Sequence, residues 1–457
     1  MAWPLVALAM VTAPISGVTY ISVPGMVLSK GYGYLQMCIG FIIGYLIIAW
    51  ILIPLYYKHN IVSIYSFLES RFGKEAYKTG AWFFLISKIL GTAVKFLVVC
   101  IVLQTLVFNL IGIPFIANVL ITISLIGLYT VNGGVKTVVW TDMIKSVCLV
   151  IASGMCIYFI AGQLNYDFRD LIDRVYNHNS SRIFFFDNPK ESDYFWKQVL
   201  AGIFLVVAMT GLDQDMMQHT LSCRNTRSSR KNLILSPLLQ FGVIFLFLSL
   251  GTLLLLYMEA HSLNVPDTSD NLFAMIAFHE EMPLIVGILF VLGLVSASYS
   301  SVGSALTSLT TSFTIDIIEA PQKYNENKIR SIRNLVHFAI SILMTFLILG
   351  FFYMNSQDAI SAVFTMASYT YGPILGLFIF GIFTKRKVNP KYVALVCILA
   401  PLLSWVLQWG GKFYFDYETG YELLLINAFI VISGMCLISV RNSEVSPNKE
   451  LIMPENA

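Results

Sequence analysis

Charged side chains are scarce in this 457-residue chain: Asp, Glu, Lys and Arg make up 12% of it and hydrophobic residues 57%. About a quarter of an ordinary soluble globule is charged, so a soluble fold is excluded. The net charge is only +3, and no nucleic-acid partner is expected. Cysteine supplies neither a disulfide framework nor a CxxC pair. Six of the seven, Cys38, Cys100, Cys148, Cys156, Cys397 and Cys436, fall in apolar stretches, and Cys223 adjoins a basic loop. The six histidines lack metal-ligand spacing, which removes support for zinc chemistry. No cleavable signal peptide is expected, because the N-terminal apolar run lacks a basic n-region and outlasts a short h-region. The polar loops near 162–195 and 259–281 are too short for separate domains. The tail after Arg441 is too short for an appended signalling module.

Long apolar runs fill the chain instead. Twelve are read, near 3–28, 34–57, 80–112, 114–131, 137–161, 196–221, 232–258, 282–314, 333–354, 358–383, 391–409 and 421–440. The fold class is therefore all-α and polytopic, a single domain lying in a lipid bilayer. With the N-terminus inside, the inner connections hold most of the Lys and Arg, including Arg224, Arg227, Arg230 and Lys231 in one loop and Lys385, Arg386 and Lys387 in another. By the positive-inside rule both termini are expected in the cytoplasm, in the plasma membrane or a bacterial inner membrane. A monomer or loose oligomer is expected.

Two spans are interrupted. Pro14 and Gly17 sit inside the first, and Gly211, Asp213 and Asp215 inside the sixth. Pro removes an internal hydrogen bond and Gly weakens a helix. Five spans separate the breaks, so spans 1 to 5 and 6 to 10 have opposite orientation, the footprint of an inverted-repeat transporter. The expected division is 1–161 and 194–387 for the repeats, 388–440 for two peripheral helices and 441–457 for a cytoplasmic tail.

The eighth span is uncharged from Pro283 to Ile315, yet Ser300, Ser301, Ser304, Thr307, Ser308 and Thr311 form one helical stripe. These hydroxyls either bond back to carbonyls one turn earlier or serve a cation. In the second case Ser300 and Ser301, with the Ala297 carbonyl, offer neutral oxygens to a small hard cation. Buried charges are the other polar signal, since each costs about 2.5 to 3.5 kcal/mol at the centre of a membrane helix on insertion scales. Asp213 either meets a solute or cation, or caps the restarted sixth helix. Asp142 and Lys145 are three apart and can pair. Lys88 and Lys95, seven apart on one face, either meet carboxylates or attract an anion. Gly372 and Pro373 interrupt the tenth span as a gating hinge or a static kink.

Six stretches together resemble the sodium/solute symporter family, whose members carry sugars, proline, iodide, sialic acid and vitamins with sodium. They are ISGVTYISVPG, IYSFLESRFGK, GGVKTVVWTD, DQDMMQHTL, the serine-rich run through FTID, and YTYGPILGLF, in the family's order across nearly the whole chain. The resemblance implies a leucine-transporter-like 5+5 inverted repeat. It implies a sodium site of two carbonyls, Thr12 and Ile15, with the carbonyl of Ala297 and the hydroxyls of Ser300 and Ser301. The solute cavity maps onto Thr19, Gln36 and Asp213. Some members hold a further sodium through Asp142 and Ser304. Here Gly303 stands where those members have a hydroxyl and Lys145 where Gln is frequent, so one coupled sodium is expected. An extra helix usually precedes the first core helix, but only Met1 and Ala2 precede Trp3 here.

The expected activity is sodium-coupled symport of a small organic solute or anion by alternating access, with no cofactor beyond the coupling ion. The rivals are a non-transporting sensor of the same fold and a proton-coupled carrier. An intramembrane transferase using Asp213 and Asp215 lacks the further carboxylates such a metal site needs.

Overall fold

A computed structural model describes residues 10, 15–58, 63–130, 135–223, 225–266, 268–354 and 359–440. Twelve helical regions follow the twelve apolar runs. They are α1 Gly17–Lys30, α2 Tyr34–Lys58, α3 Lys74–Ile111, α4 Phe115–Thr130, α5 Val135–Gln163, α6 in two halves, Phe195–Gly211 and Gln214–Leu221, α7 Thr226–Ala260, α8 Leu284–Ile317, α9 Glu326–Met354, α10 Ala359–Phe383, α11 Val393–Phe415 and α12 Leu423–Leu437. Short helices Ser66–Phe72, Phe168–Asn177 and Asn271–Ala277 lie between them. The only strands among the described residues are the pair Lys387–Val388 and Ser439–Val440.

The helix contacts carry the inverted symmetry read from the two breaks. α1 packs on α7 as α6 packs on α2, α3 on α10 as α8 on α5, and α3 on α9 as α8 on α4. The pairs α2–α7, α3–α8 and α4–α9 map onto themselves. Small residues permit the closest of these approaches. A Cβ on Gly40 would stand 2.3 Å from the Val199 carbonyl oxygen, and one on Gly251 would stand 2.3 Å from that of Pro24. Any larger residue there would separate α2 from α6, or α1 from α7.

Burial separates centre from rim. α1 is buried at every position from Gly17 to Val27, as a helix inside a bundle must be when surrounded by other helices. α9 and α11 turn apolar residues outward, including Leu335, Phe338, Phe346, Trp405 and Trp409, the face that hydrocarbon would cover. The first interruption falls partly on residues 11–14, outside those described; Ser16 just after it is extended (φ −106, ψ 177).

Candidate functional site

The site grows from the break in α6. Asp213 leaves the helical region (φ −99, ψ 122), and the two halves are bent by 72°. Backbone freed at a break inside a membrane needs new partners. Tyr56 and Tyr65 donate to the carbonyls of Gly211 and Leu212 at 2.7 and 3.0 Å, and the Ile64 N–H donates to Gln214 Oε1 at 3.0 Å. The start of α1 faces this break across the bundle. A Cβ on Gly17 would stand 2.1 Å from Ser298 Oγ, so the chain at Ile15 and Ser16 lies against α8.

Between the two breaks is a cavity with about 1260 Å³ of free space, counting its open mouth. It is lined by Ile15, Ser16 and Thr19, by Tyr34, Phe41 and Tyr45 of α2, and by Lys88 and Lys95 of α3. Asp213 and Asp215, Ser301 and Ser304, and Ile360, Phe364 and Tyr371 of α10 complete the wall. Of the residues expected at the site, Ile15, Thr19, Asp213, Ser301 and Ser304 thus line one cavity.

Asp213 serves both as cap and as site residue. Its Oδ1 accepts from the N–H groups of Asp215 and Met216 at 2.9 and 3.2 Å, capping the restarted helix. Its Oδ2 accepts from the Tyr371 hydroxyl at 2.7 Å and from Lys88 Nζ at 3.1 Å. Lys88 also reaches Asp215 Oδ2 at 2.9 Å, and Ser304 donates to Asp215 Oδ1 at 2.7 Å. Lys88 therefore answers to carboxylates. Lys95, two turns on, has no hydrogen-bond or ion-pair partner among the described residues and faces the cavity.

The hydroxyl stripe divides. Thr307, Ser308 and Thr311 donate to carbonyls of their own helix at 2.8 to 3.0 Å, the internal alternative. Ser304 reaches across to α6 instead. Ser301 lines the cavity and makes no hydrogen bond among the described residues, while Ala297 and Ser300 are buried beside it. Thr12 and the side chain of Asp142 lie outside the described residues.

Two further expected residues are held by hydrogen bonds. Gln36 does not line the cavity: its amide donates to the Asp193 carbonyl at 3.0 Å and accepts from the Phe185 N–H at 3.0 Å, fastening the segment before α6 to α2. The Gly372–Pro373 interruption is braced rather than loose. Pro373 has no N–H for the Tyr369 carbonyl one turn back, and Asn427 of α12 donates to that oxygen at 2.7 Å and to the Ser368 carbonyl at 3.2 Å. Sequence spacing missed Asn427 and Tyr371, because nothing local marks a partner on a distant helix.

Below the cavity the helices are closed by polar contacts. Tyr77 donates to Asp316 Oδ1 at 2.8 Å, and Arg71 donates to the Gly381 carbonyl at 3.0 Å. Glu319 holds Lys74 at 2.8 Å, Lys78 at 3.3 Å and Lys323 at 3.6 Å. The hydrogen bond from Lys74 chiefly holds the Glu319 carboxyl down at about 2.

The pattern of the "Sodium:solute symporter family" matches residues 1–398. The chain belongs to the sodium:solute symporter family. Among curated relatives, the sodium/sialic acid symporter NanT of Aliivibrio fischeri is 26% identical over 94% of this chain and 85% of its own length. The human sodium/iodide cotransporter is 23% identical over 92% of this chain and 65% of its own, and the rabbit sodium-dependent multivitamin transporter 28% over 87% and 62%. The chain thus spans less than two thirds of the last two. A solved Na+-coupled sialic acid symporter, substrate-bound and outward-open, superposes with a TM-score of 0.80 at 18% identity, over 96% of this chain and 89% of that one. At this identity the likeness shows the fold, which is the leucine-transporter type. As a family member the chain is a multi-pass membrane protein and a sodium-coupled symporter.

Proposed function

We propose that this symporter couples the uptake of one sodium ion to that of a small anionic solute. The observation that carries the reading is Lys95, an ammonium facing the cavity with no partner among the described residues. An unpaired charge inside a membrane is costly, and a carboxylate or other anion from the solute supplies the missing partner. Sialic acid, iodide and monocarboxylate, which name several relatives, agree with that sign. Thr19, Asp213 and Tyr371 add polar groups for the rest of the solute.

Sodium is assigned to the carbonyls of Thr12, Ile15 and Ala297 and the hydroxyls of Ser300 and Ser301. The free hydroxyl of Ser301 and the non-helical backbone at Ser16 support this placement. An ion held there ties α1 to α8 and favours one state of the transporter through its differential affinity for that state. With both termini cytoplasmic, Tyr34 and Phe364 lie toward the outer end of the cavity, and the contacts of Asp316, Arg71 and Glu319 seal the inner end. Gly372 and Pro373 then act as a hinge only after the Asn427 brace has released.

The test is thermal unfolding of the detergent-purified protein in sodium against potassium at equal ionic strength, with Ser301→Ala alongside. Ligand at a hundred times its dissociation constant stabilises a fold by about 2.7 kcal/mol. A sodium-specific rise that is lost in Ser301→Ala supports the site. No difference between the ions would sink sodium coupling at these residues and favour a proton-coupled carrier or a sensor. Sodium-loaded counterflow with carboxylates and neutral analogues then tests the sign of the solute.

A further inference from the structure

Lys88 stands where an ion would stand. Its ammonium lies 3.1 Å from Asp213 Oδ2, 3.2 Å from Asp213 Oδ1 and 2.9 Å from Asp215 Oδ2. Both aspartates are almost wholly buried, at 2% and 5% exposure. Their other contacts include the hydroxyls of Tyr371 and Ser304, each donating at 2.7 Å. Two buried carboxylates this close do not both ionise without a positive charge between them. Carboxylates joined by a hydroxyl are also the oxygen set that a hard cation prefers. Here the positive charge is supplied by a side chain of α3, which cannot leave.

We propose that Lys88 is a tethered cation: it fills a second cation site formed by Asp213, Asp215 and Ser304, and so limits the transporter to one coupling ion. Removing the ammonium opens that site to Na+ or Li+. The inference rests on the one-sodium reading above and explains it by a different group from Lys145. A tethered charge offsets one of the two carboxylate charges in every state of the cycle but draws nothing from the sodium gradient. Ser304 thereby acquires a role on the α6 carboxylates.

The experiment counts bound radiolabelled sodium per chain at saturation, in potassium-containing buffer, on the full-length purified protein. Wild type is compared with Lys88→Met, Lys88→Arg and the double variant Lys88→Met/Asp215→Asn. Met fills the space of the lysine stem without the charge, and Arg keeps the charge. Expected counts are one for wild type, two for Lys88→Met, one for Lys88→Arg and one for the double variant, which loses one charge of each sign. A folded Lys88→Met that binds no more sodium than wild type overturns the proposal. If Lys88→Met folds in neither sodium nor potassium, the double variant decides. Folding with one bound sodium supports a charge role for Lys88, and failure to fold shows that the side chain serves packing and overturns it. A wild type that binds none refutes the sodium site at Ser300 and Ser301. The gain or lack of one ion in Lys88→Met still judges the tethered cation.

Discussion

The brace on α10 allows a test that separates a geometric reading from a coincidence of contacts. Pro373 leaves the Tyr369 carbonyl without its helical donor, and Asn427 donates to it at 2.7 Å. Asn427→Ala therefore strands a buried carbonyl, which costs about 1 to 3 kcal/mol in proteins generally. Interhelical hydrogen bonds within membranes average about 0.6 and reach about 1.7 kcal/mol. Because Asn427 also donates to the Ser368 carbonyl at 3.2 Å, so that its loss touches two carbonyls, the upper figure applies, about 1.5 kcal/mol. Pro373→Ala restores an N–H at the position that the Tyr369 carbonyl lacks. In that background Asn427→Ala should cost only about 0.5 kcal/mol, a coupling of about 1 kcal/mol, well above the 0.3 to 0.5 expected for independent sites.

The assay is an unfolding titration of the four variants in detergent with SDS, followed by tryptophan fluorescence. Additive losses would refute the claim that Asn427 replaces the bond removed by the proline. Gly372→Ala is a geometric control, since its Cβ would fall 2.6 Å from Asn427 Cβ and 2.5 Å from Cγ. Overpacking of this kind costs about 1 to 3 kcal/mol. Asn427→Ala should not rescue it, because the Cβ contact persists, whereas Asn427→Gly should. Tyr371 lies two residues before the proline and holds Asp213, so the brace also positions a cavity wall.

Three further outcomes are expected. Lys95→Met should weaken an anionic solute by about 30-fold or more, the effect of truncating one partner of a buried charge pair by at least about 2 kcal/mol. It should leave a neutral analogue largely unaffected in counterflow. Tyr371→Phe removes a hydrogen bond to a carboxylate and should lower unfolding stability by about 1.5 kcal/mol, read in the same SDS titration. Glu319 has a folded pKa depressed to about 2, so its clamp is fully present above its ordinary value near 4.5 and fades as pH falls toward 2. Closure of the end of the bundle that holds Glu319, followed by labelling of a cysteine placed between it and the cavity, should therefore be unchanged between pH 5 and 7, and Glu319→Gln should raise labelling throughout.

The broad plan was legible because it rests on local quantities. Apolar length located each span, and the breaks at Pro14–Gly17 and Gly211–Asp213 gave the repeat. The division of the hydroxyl stripe was not legible. Ser301, Ser304 and Thr307 share a face in α8, but only Ser304 meets a carboxylate of α6, while Thr307 bonds back within its own helix. Lys88 and Lys95 were equivalent for the same reason. The α6 carboxylates fall at the level of Lys88 and not of Lys95, and that height is set by packing between residues 125 apart in sequence. The partners of Gln36, Asp193 and Phe185, were not legible either, because they lie about 150 residues away in sequence.

These pairings fix a charge balance that reaches beyond any one residue. Among the described residues the ionisable side chains lining the cavity are Lys88, Lys95, Asp213 and Asp215, two acids and two bases, whose full charges sum to zero. One sodium with one monovalent anion keeps that sum at zero, and the empty carrier returns without charge. Uptake by wild type should then be indifferent to a membrane potential set by potassium and valinomycin. Lys88→Met alters the sum: two sodium ions accompany the anion, the empty carrier returns negative, and one positive charge moves inward per cycle. A potential of 100 mV acting on one charge is worth about 2.3 kcal/mol, or about 50-fold in accumulation. A wild type that already responds to potential on this scale would mean that the balance in the cavity is not the one its side chains imply.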